Sequence, residues 1–186
     1  IVDKVCLIHS VDSLRLLQEI EKQSAKIGKV MEVLLEVNLS GEEQKGGFDP
    51  GELENVLVNM HQFPHVLVRG FMTVPPVADS LSKNSRYFSQ LRQLFIDMSD
   101  KKYDNTNMGL LSMGMSNDFD IAIENGAHMV RVGSALDALS GDLAVHSLNV
   151  GVNSQQLVGI AVSPAVSVVA HEDVVLFQAV DQSIGV

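Results

Sequence analysis

Short apolar, β-branched segments alternate with amphipathic segments along most of the sequence, and this alternation constrains the fold more than any other feature. Such an alternation is typical of βα units around a parallel sheet, so we predict the α/β class. The predicted strands cover residues 5–9, 30–38, 66–72, 110–115 and 128–133. The predicted helices lie near residues 12–26, 52–61, 85–99 and 118–124.

Local signals mark the ends and the buried faces of these helices. Asp49 and Pro50 predict an N-cap followed by a proline in the first helical turn, with Glu52 as a capping-box glutamate. Gly126 predicts the end of the last helix. Apolar residues at helical spacing predict core faces rather than a cofactor site. They are Leu53, Val56, Leu57 and Met60 in the second helix, and Phe88, Leu91, Phe95 and Met98 in the third.

Composition excludes several classes of function. A net charge of −10 and a pI near 4.9 argue against nucleic-acid binding, which needs clusters of Lys and Arg. No apolar run reaches the roughly 18 residues of a membrane span. Cys6 is the only cysteine, so no internal disulfide can form. We predict that Cys6 lies buried in the first strand. The six histidines show no metal-ligand spacing, and we expect a soluble, cytoplasmic protein without a metal site.

The sequence changes character after Arg131. All 13 Lys and Arg residues lie at or before this position, whereas the following residues include five acidic ones. The region is rich in Val, Ser, Ala and Gln, with short β-like runs at 157–162, 166–170 and 174–179. It contains no helical amphipathic face and no motif, so residues 137–186 form a Val-rich tail to which no domain is assigned.

The segment 111–119 is the strongest candidate for an anion site. A strand runs through Ser112, Met113 and Gly114 directly into a predicted helix. Glycine lets the backbone approach a ligand, serine donates a hydrogen bond, and the first N–H groups of a helix favour negative charge. The alternative is a tight turn whose Ser or Asn caps the helix, and the pattern alone does not decide between the two.

A second candidate lies at the end of the last predicted strand, where Arg131 is followed by Gly133 and Ser134. An arginine in an apolar strand either reaches solvent or meets a specific acceptor. In (β/α)₈ barrels the loops after the seventh and eighth strands typically bind phosphate, and the two candidates fall there if the last strand closes a barrel. Asn38 also follows a strand, although a loop-capping role explains it equally well.

Six segments of the sequence closely resemble the pyridoxal-phosphate homeostasis proteins, relatives of the N-terminal barrel of alanine racemase. These segments are IHSVDS (8–13), LLEVNLSGEEQKGGF (34–48), VRGFMTVPP (68–76), YFSQLRQLF (87–95), LLSMGMSNDFDIAIENGA (110–127) and VRVGSAL (130–136). The resemblance implies that residues 1–136 form about strands 4–8 of a parallel (β/α)₈ TIM-type barrel.

The same resemblance implies pyridoxal 5′-phosphate as the cofactor, bound at the carboxyl ends of the strands. Arg131 would face the pyridine nitrogen, while Ser112, Gly133 and Ser134 would hold the phosphate beside Met113 and Gly114. An arginine there keeps the ring nitrogen unprotonated and weakens the ring as an electron sink. We therefore expect a non-catalytic protein of pyridoxal-phosphate homeostasis.

Family members have three further strands at the start, the first of which carries the lysine that forms a Schiff base. None of the lysines here has that sequence context. We expect an N-terminally incomplete barrel whose tail comes from a gene-prediction or frame error; alternatively, the tail strands pair with an open edge of the sheet. The alternative functions are a barrel fragment that binds a phosphorylated metabolite non-covalently or is inactive, and a remnant of a racemase-like enzyme.

Overall fold

A computed structural model of the chain describes residues 1–42, 45–76, 81–131, 158–162, 166–171 and 174–179. The chain divides into two compact units, Ile1–Ser112 and Met113–Val186. In the first, the elements are β1 (Leu7–Val11), α1 (Leu14–Ile27), β2 (Met31–Glu36), α2 (Leu53–Val58), a 3₁₀ turn (Asn59–Gln62), β3 (Val66–Met72), α3 (Leu81–Ser99) and β4 (Thr106–Met115), which runs into the second unit. The second continues with α4 (Phe119–Glu124), β5 (Met129–Arg131), β6 (Val158–Val162), β7 (Val166–His171) and β8 (Val174–Ala179).

The first unit is a parallel sheet in the order β1, β2, β3, β4, with a helical connection between successive strands. This confirms the predicted α/β class, because parallel neighbours require a crossover and helices supply it here. The predicted core faces of α2 and α3 are also confirmed. The buried residues are Leu53, Val56 and Leu57 of α2, Met60 of the 3₁₀ turn that follows it, and Phe88, Leu91, Phe95 and Met98 of α3.

Helix α1 ends where the sequence supplies a glycine. Gly28 has a φ of +64° and its N–H donates to the carbonyl of Ala25, while Lys29 N donates to Ser24 O at 3.1 Å. These two bonds form a Schellman motif, which satisfies the last carbonyls of the helix. The Lys29 ammonium then donates to the carbonyls of Val2 and Val5, at 2.7 and 2.5 Å. The turn after α1 therefore holds the residues that precede β1.

The start of α2 differs from the prediction. Asp49 does accept a bond from Gly51 N at 2.7 Å, as a capping aspartate would, but residues 49–52 form a turn and the α-helix begins at Leu53. Glu52 flanks the helix with no side-chain capping bond. The predicted capping box is therefore wrong. The first backbone hydrogen bond of the segment runs from Glu52 N to Asp49 O, and this three-residue spacing is that of a turn and not of an α-helix.

Gly70 interrupts the regular pairing of β3. Its φ is +151°, and the register shifts on both sides of the strand close to this residue. A Cβ atom added at Gly70 would lie 1.7 Å from the carbonyl oxygen of Leu110. The two strands can thus approach here only because residue 70 has no side chain.

In the second unit, α4 ends in a Schellman motif in which Gly126 has a φ of +86° and Ala127 N donates to Ala122 O. The predicted end of this helix is confirmed. β5 pairs in parallel with β6, and β6, β7 and β8 form an antiparallel meander. The three β-like runs predicted in the tail are thus strands, and β6 pairs with β5 as the edge-pairing alternative requires.

Two further expectations are corrected. β1 begins at Leu7, so Cys6 precedes the strand and is exposed instead of buried. β4 begins at Thr106, earlier than the apolar pattern indicated, because Thr106 pairs with Val68. Within the part of the chain that the structure describes, no helix is long and apolar enough to cross a membrane.

Candidate functional site

The carboxyl ends of β1, β2 and β3, the residues that follow them and Ser112 of β4 form one edge of the first unit, here called the carboxyl edge. The register aligns Glu36, Met72 and Ser112 across β2, β3 and β4. Parallel strands of α/β proteins typically bind ligands beyond this edge. The position of each predicted site residue is therefore described relative to this edge.

Hydrogen bonds beyond the last register pairs hold the carboxyl edge together. Val37 N donates to Met72 O at 2.8 Å, and Thr73 N donates to Ser112 O at 3.1 Å. The hydroxyl of Thr73, which is 1% exposed, donates to Val37 O at 2.8 Å. The backbone of Ser112 is thus fixed through Thr73 to the end of β2.

Ser112 is fully buried, and its Oγ lies 3.5 Å from Nδ1 of the half-buried His9. Two strands separate β1 from β4, so the strands themselves would lie roughly 14 Å apart in a flat sheet. Contact between these side chains therefore requires a curved sheet with both residues on its concave face. The prediction had placed Ser112 at the site but had missed His9.

Asn38 lies in the loop after β2, and its amide organises that loop. Nδ2 donates to the carbonyls of Glu42 and Lys45, at 2.9 and 3.2 Å. Oδ1 accepts from Ser40 Oγ and from Gly41 N, at 3.0 and 3.1 Å. Both ends of the amide thus bond within the loop, as the capping alternative predicts. A contact of Asn38 with a ligand remains a prediction.

Met113 and Gly114 begin the second unit, where their environment is set by α4. Met113 is fully buried, and Gly114 has a φ of +91°. A Cβ on Gly114 would lie 2.5 Å from Cβ of Ala122 and 3.2 Å from Cα of Phe119. The glycine therefore allows α4 to pack against the end of β4, whereas the sequence had indicated that it allows a ligand to approach.

Asp118, not Ser116 or Asn117, flanks the start of α4. Its Oδ1 accepts from Met115 N at 2.7 Å, and its own N–H donates to Met115 O at 3.1 Å. Asp118 is 8% exposed, so a carboxylate sits in the turn where the sequence had suggested free helix N–H groups for an anion. The alternative of a tight turn capped by Ser or Asn is therefore right about the turn and wrong about the cap, because Asp118 closes the turn between β4 and α4.

Arg131 is the last residue of β5, half-exposed and in register with Ala161 of β6. It is thus at the carboxyl end of a strand, as predicted. Gly133 and Ser134 lie outside the described residues. Among the residues that are described, no group of His, Cys, Asp or Glu side chains could hold a metal ion.

The opposite edge of the first unit carries a charged cluster near the start of β4. Lys101 Nζ lies 2.6 Å from Glu54 Oε1, and the Tyr103 hydroxyl donates to the same oxygen at 3.4 Å. The hydrogen bond from Lys101 lowers the pKa of Glu54, and burial raises the pKa of Tyr103. Tyr103 thus lies away from the carboxyl edge.

The parallel fold agrees with comparisons to known proteins. Residues 2–140 match the N-terminal domain of alanine racemase, so the chain belongs to that family. Within the family, it is 43% identical over 136 residues to the pyridoxal phosphate homeostasis protein of Aquifex aeolicus strain VF5. The match covers 73% of this chain and 59% of that relative. The protein of the same name from Pseudomonas aeruginosa is 37% identical over 130 residues, covering 69% of this chain and 54% of its own length.

Solved structures agree with this relationship. PipY of Synechococcus elongatus PCC7942, determined with pyridoxal phosphate bound, superposes with a TM-score of 0.65 and 30% identity, covering 73% of this chain and 62% of PipY. A protein from Bifidobacterium adolescentis superposes with a TM-score of 0.67 and 34% identity, covering 71% of this chain and 53% of its own. The fold therefore corresponds to part of the alanine racemase N-terminal barrel. The chain spans little more than half the length of the curated relatives.

Proposed function

We propose that this protein binds pyridoxal 5′-phosphate at the carboxyl edge and serves the intracellular homeostasis of that cofactor without catalysing a reaction. The observation that carries the proposal is the match of residues 2–140 to this family, together with the structure of PipY with pyridoxal phosphate bound. The name shared by the relatives supports a role in homeostasis. A cytoplasmic location is part of the same proposal.

The residues at the carboxyl edge fit a phosphorylated ligand. Ser112 offers a hydroxyl on the concave face, with the ring of His9 beside it at 3.5 Å. A hydroxyl and an imidazole are both suitable donors to phosphate oxygens. We propose that Ser112, Gly133 and Ser134 hold the phosphate and that Arg131 faces the pyridine nitrogen. Met113, Gly114 and Asn38 would shape the surroundings.

When bound, pyridoxal phosphate supplies an aldehyde and an electron-accepting ring. The positive charge of Arg131 disfavours a proton on the ring nitrogen, so it limits that electron-accepting capacity. This effect supports a carrier rather than an enzyme. We further propose that residues 1–136 form the cofactor-binding barrel portion and that 137–186 are separate from it in function.

The contacts of three lysines favour non-covalent binding by these residues. Lys29 donates to two backbone carbonyls near the start of the chain, and Lys101 pairs with Glu54 at the opposite edge. Lys45 follows β2 and lies 3.6 Å from Glu42. Borohydride reduction in the presence of pyridoxal phosphate, followed by mass spectrometry, tests the mode of binding. We expect no lysine adduct.

Equilibrium dialysis with pyridoxal phosphate tests the proposed function itself. We expect saturable binding that is weakened in Ser112→Ala and in Arg131→Ala, since each loses a donor to the ligand. Gly109→Ala is the matched control, because a Cβ there meets nothing within 4 Å. Absence of saturable binding to the unmodified chain would contradict the proposal, and unchanged binding in both variants would refute the assignment of the residues.

A further inference from the structure

A groove in the first unit lies between helix α3 and the segment that connects β2 to α2, and it is here called the α3 groove. Its volume is about 310 Å³, at the lower end of the range typical of ligand-binding clefts. Three half-buried apolar side chains and three exposed polar ones line it. They are Leu39, Pro50 and Leu94, and Gln90, Gln93 and Asp97. The groove thus combines an apolar surface with hydrogen-bonding groups and a charge.

The polar side chains of the groove follow one face of α3. Gln90, Gln93 and Asp97 share this face because residues three, four and seven positions apart lie on the same side of a helix. From Gln90 to Asp97 the face runs for roughly 10 Å along the helix axis. Three residues of an extended chain span about the same length. The groove therefore matches a short extended peptide in length.

The hydrogen-bonding groups of the groove also match a peptide. The carboxamide of Gln90 has a donor and an acceptor side by side, which complement the C=O and N–H of a peptide group. Gln93 Nε2 donates to Asp97 Oδ1 at 2.7 Å, which orients the carboxylate. A carboxylate accepts several hydrogen bonds, so Asp97 can also accept from a ligand.

The charges around the groove favour a cation at one end. Among the described residues that line the groove, Asp97 is the only charged one. It lies in the last turn of α3, where the helix carbonyls favour positive charge and which contains no basic side chain. The exposed Arg86 lies one turn before Gln90 on the same face, at the other end. A positively charged group is therefore directed toward Asp97.

We propose that the α3 groove binds an extended peptide segment of a partner protein in which an apolar residue is followed closely by arginine or lysine. The apolar side chain lies against Leu39, Pro50 and Leu94, and the basic one pairs with Asp97. Because an exposed ion pair contributes little, a short peptide should bind with a Kd on the order of 1 mM. The proposal does not depend on the binding of pyridoxal phosphate.

Titration of short peptides into the ¹⁵N-labelled chain, followed by ¹H–¹⁵N correlation spectra, tests the proposal. The probe is acetyl-Leu-Ala-Arg-amide, and the charge-reversed acetyl-Leu-Ala-Glu-amide is its control. We expect saturable shifts at Leu39, Gln93 and Asp97 with the probe, and binding of the control that is weaker by about threefold or more. Methylguanidinium, which has the cation without a peptide group or an apolar side chain, should bind more weakly than the probe.

Three variants assign the preference to particular side chains. Asp97→Asn removes the charge but keeps an oxygen that can accept from Gln93, so it should bind the two peptides with nearly equal affinity. Asp104→Asn is the matched control, because Asp104 is exposed and precedes β4 at the opposite edge, and it should keep the preference. Gln90→Ala preserves the helix and should weaken both peptides about equally.

Several results would overturn the proposal. Equal binding of the two peptides by the unmodified chain is one, and a preference that survives in Asp97→Asn is another. Shifts outside the α3 groove would refute the location, and methylguanidinium bound as tightly as the probe would identify the occupant as a small cation instead of a peptide. If Asp97→Asn does not fold, the preference of the unmodified chain should still disappear in about 1 M NaCl, which screens exposed charges. An unchanged preference there would refute the ion pair.

Discussion

Replacing Gly70 by alanine tests the arrangement of β3 and β4 directly. The added Cβ would lie 1.7 Å from the carbonyl oxygen of Leu110 and 2.7 Å from its carbonyl carbon, both of which are backbone atoms. No rotamer change can relieve such an overlap. The strands must separate, or Gly70 must leave its φ of +151°, which alanine rarely adopts.

The cost follows from the pairs that depend on this approach. Separation would break the register at Gly70 with Leu110 and weaken the two pairs beyond it, Phe71 with Leu111 and Met72 with Ser112. Each buried backbone group left unbonded costs about 1–3 kcal/mol, so the loss of one N–H and one C=O partner should cost about 2–6 kcal/mol. That is a large part of the roughly 5–15 kcal/mol by which a domain is stable.

Urea unfolding followed by far-ultraviolet circular dichroism measures this loss. Gly109→Ala in β4 is the control, because its Cβ would enter open space and its free energy of unfolding should change by less than about 1 kcal/mol. If Gly70→Ala does not fold, its low yield of folded protein beside normal Gly109→Ala still bears out the reasoning. A Gly70→Ala chain as stable as the control would refute the close approach of the two strands.

Three other variants test separate features. Gly114→Ala should destabilise the chain by about 1–3 kcal/mol through overlap with the Cβ of Ala122, and adding Ala122→Gly should recover part of that loss in the same urea assay. Ser24→Ala should leave stability unchanged or raise it by about 1 kcal/mol, because its buried hydroxyl has no hydrogen-bond partner among the described residues; a clear loss would reveal a partner. Lys101→Met should raise the pKa of Glu54 toward its ordinary value, measured by carboxyl ¹³C titration. Because that pKa is lowered in the folded protein, the stabilisation is present above the ordinary pKa and lost as the pH falls through the lowered one, and acid sensitivity should shrink in the variant.

Periodicity predicted much of the fold because burial is encoded locally in helices. The spacing of Phe88, Leu91 and Phe95 indicates one helix face, and all three residues are buried in the structure. Strand limits were less accurate, since pairing with a neighbour can extend a strand over polar residues. Thr106 lies in β4 because it pairs with Val68, which no local pattern reveals.

The candidate site shows the same difference between features that local sequence encodes and features that depend on distant residues. Ser112 could be identified from a local run of glycine and serine at the end of an apolar strand. Its neighbour His9 could not, because the two meet only through the curvature of the whole sheet. Gly114 was predicted to let a ligand approach the backbone. Its nearness to Ala122 indicates instead that it lets α4 pack against the end of β4. Local sequence thus predicted which positions matter better than what each one contacts.

The pair formed by His9 and Ser112 also has a consequence for the order of folding. These residues are 103 positions apart, and the closure entropy of so long a loop must be overcome before their contact can form. β2 and β3 lie between them in the folded sheet, so the contact depends on the pairing of both strands. During synthesis, no nascent chain can complete the pair before β4 has emerged. A ligand held there would therefore stabilise finished molecules and leave partly folded ones unaffected.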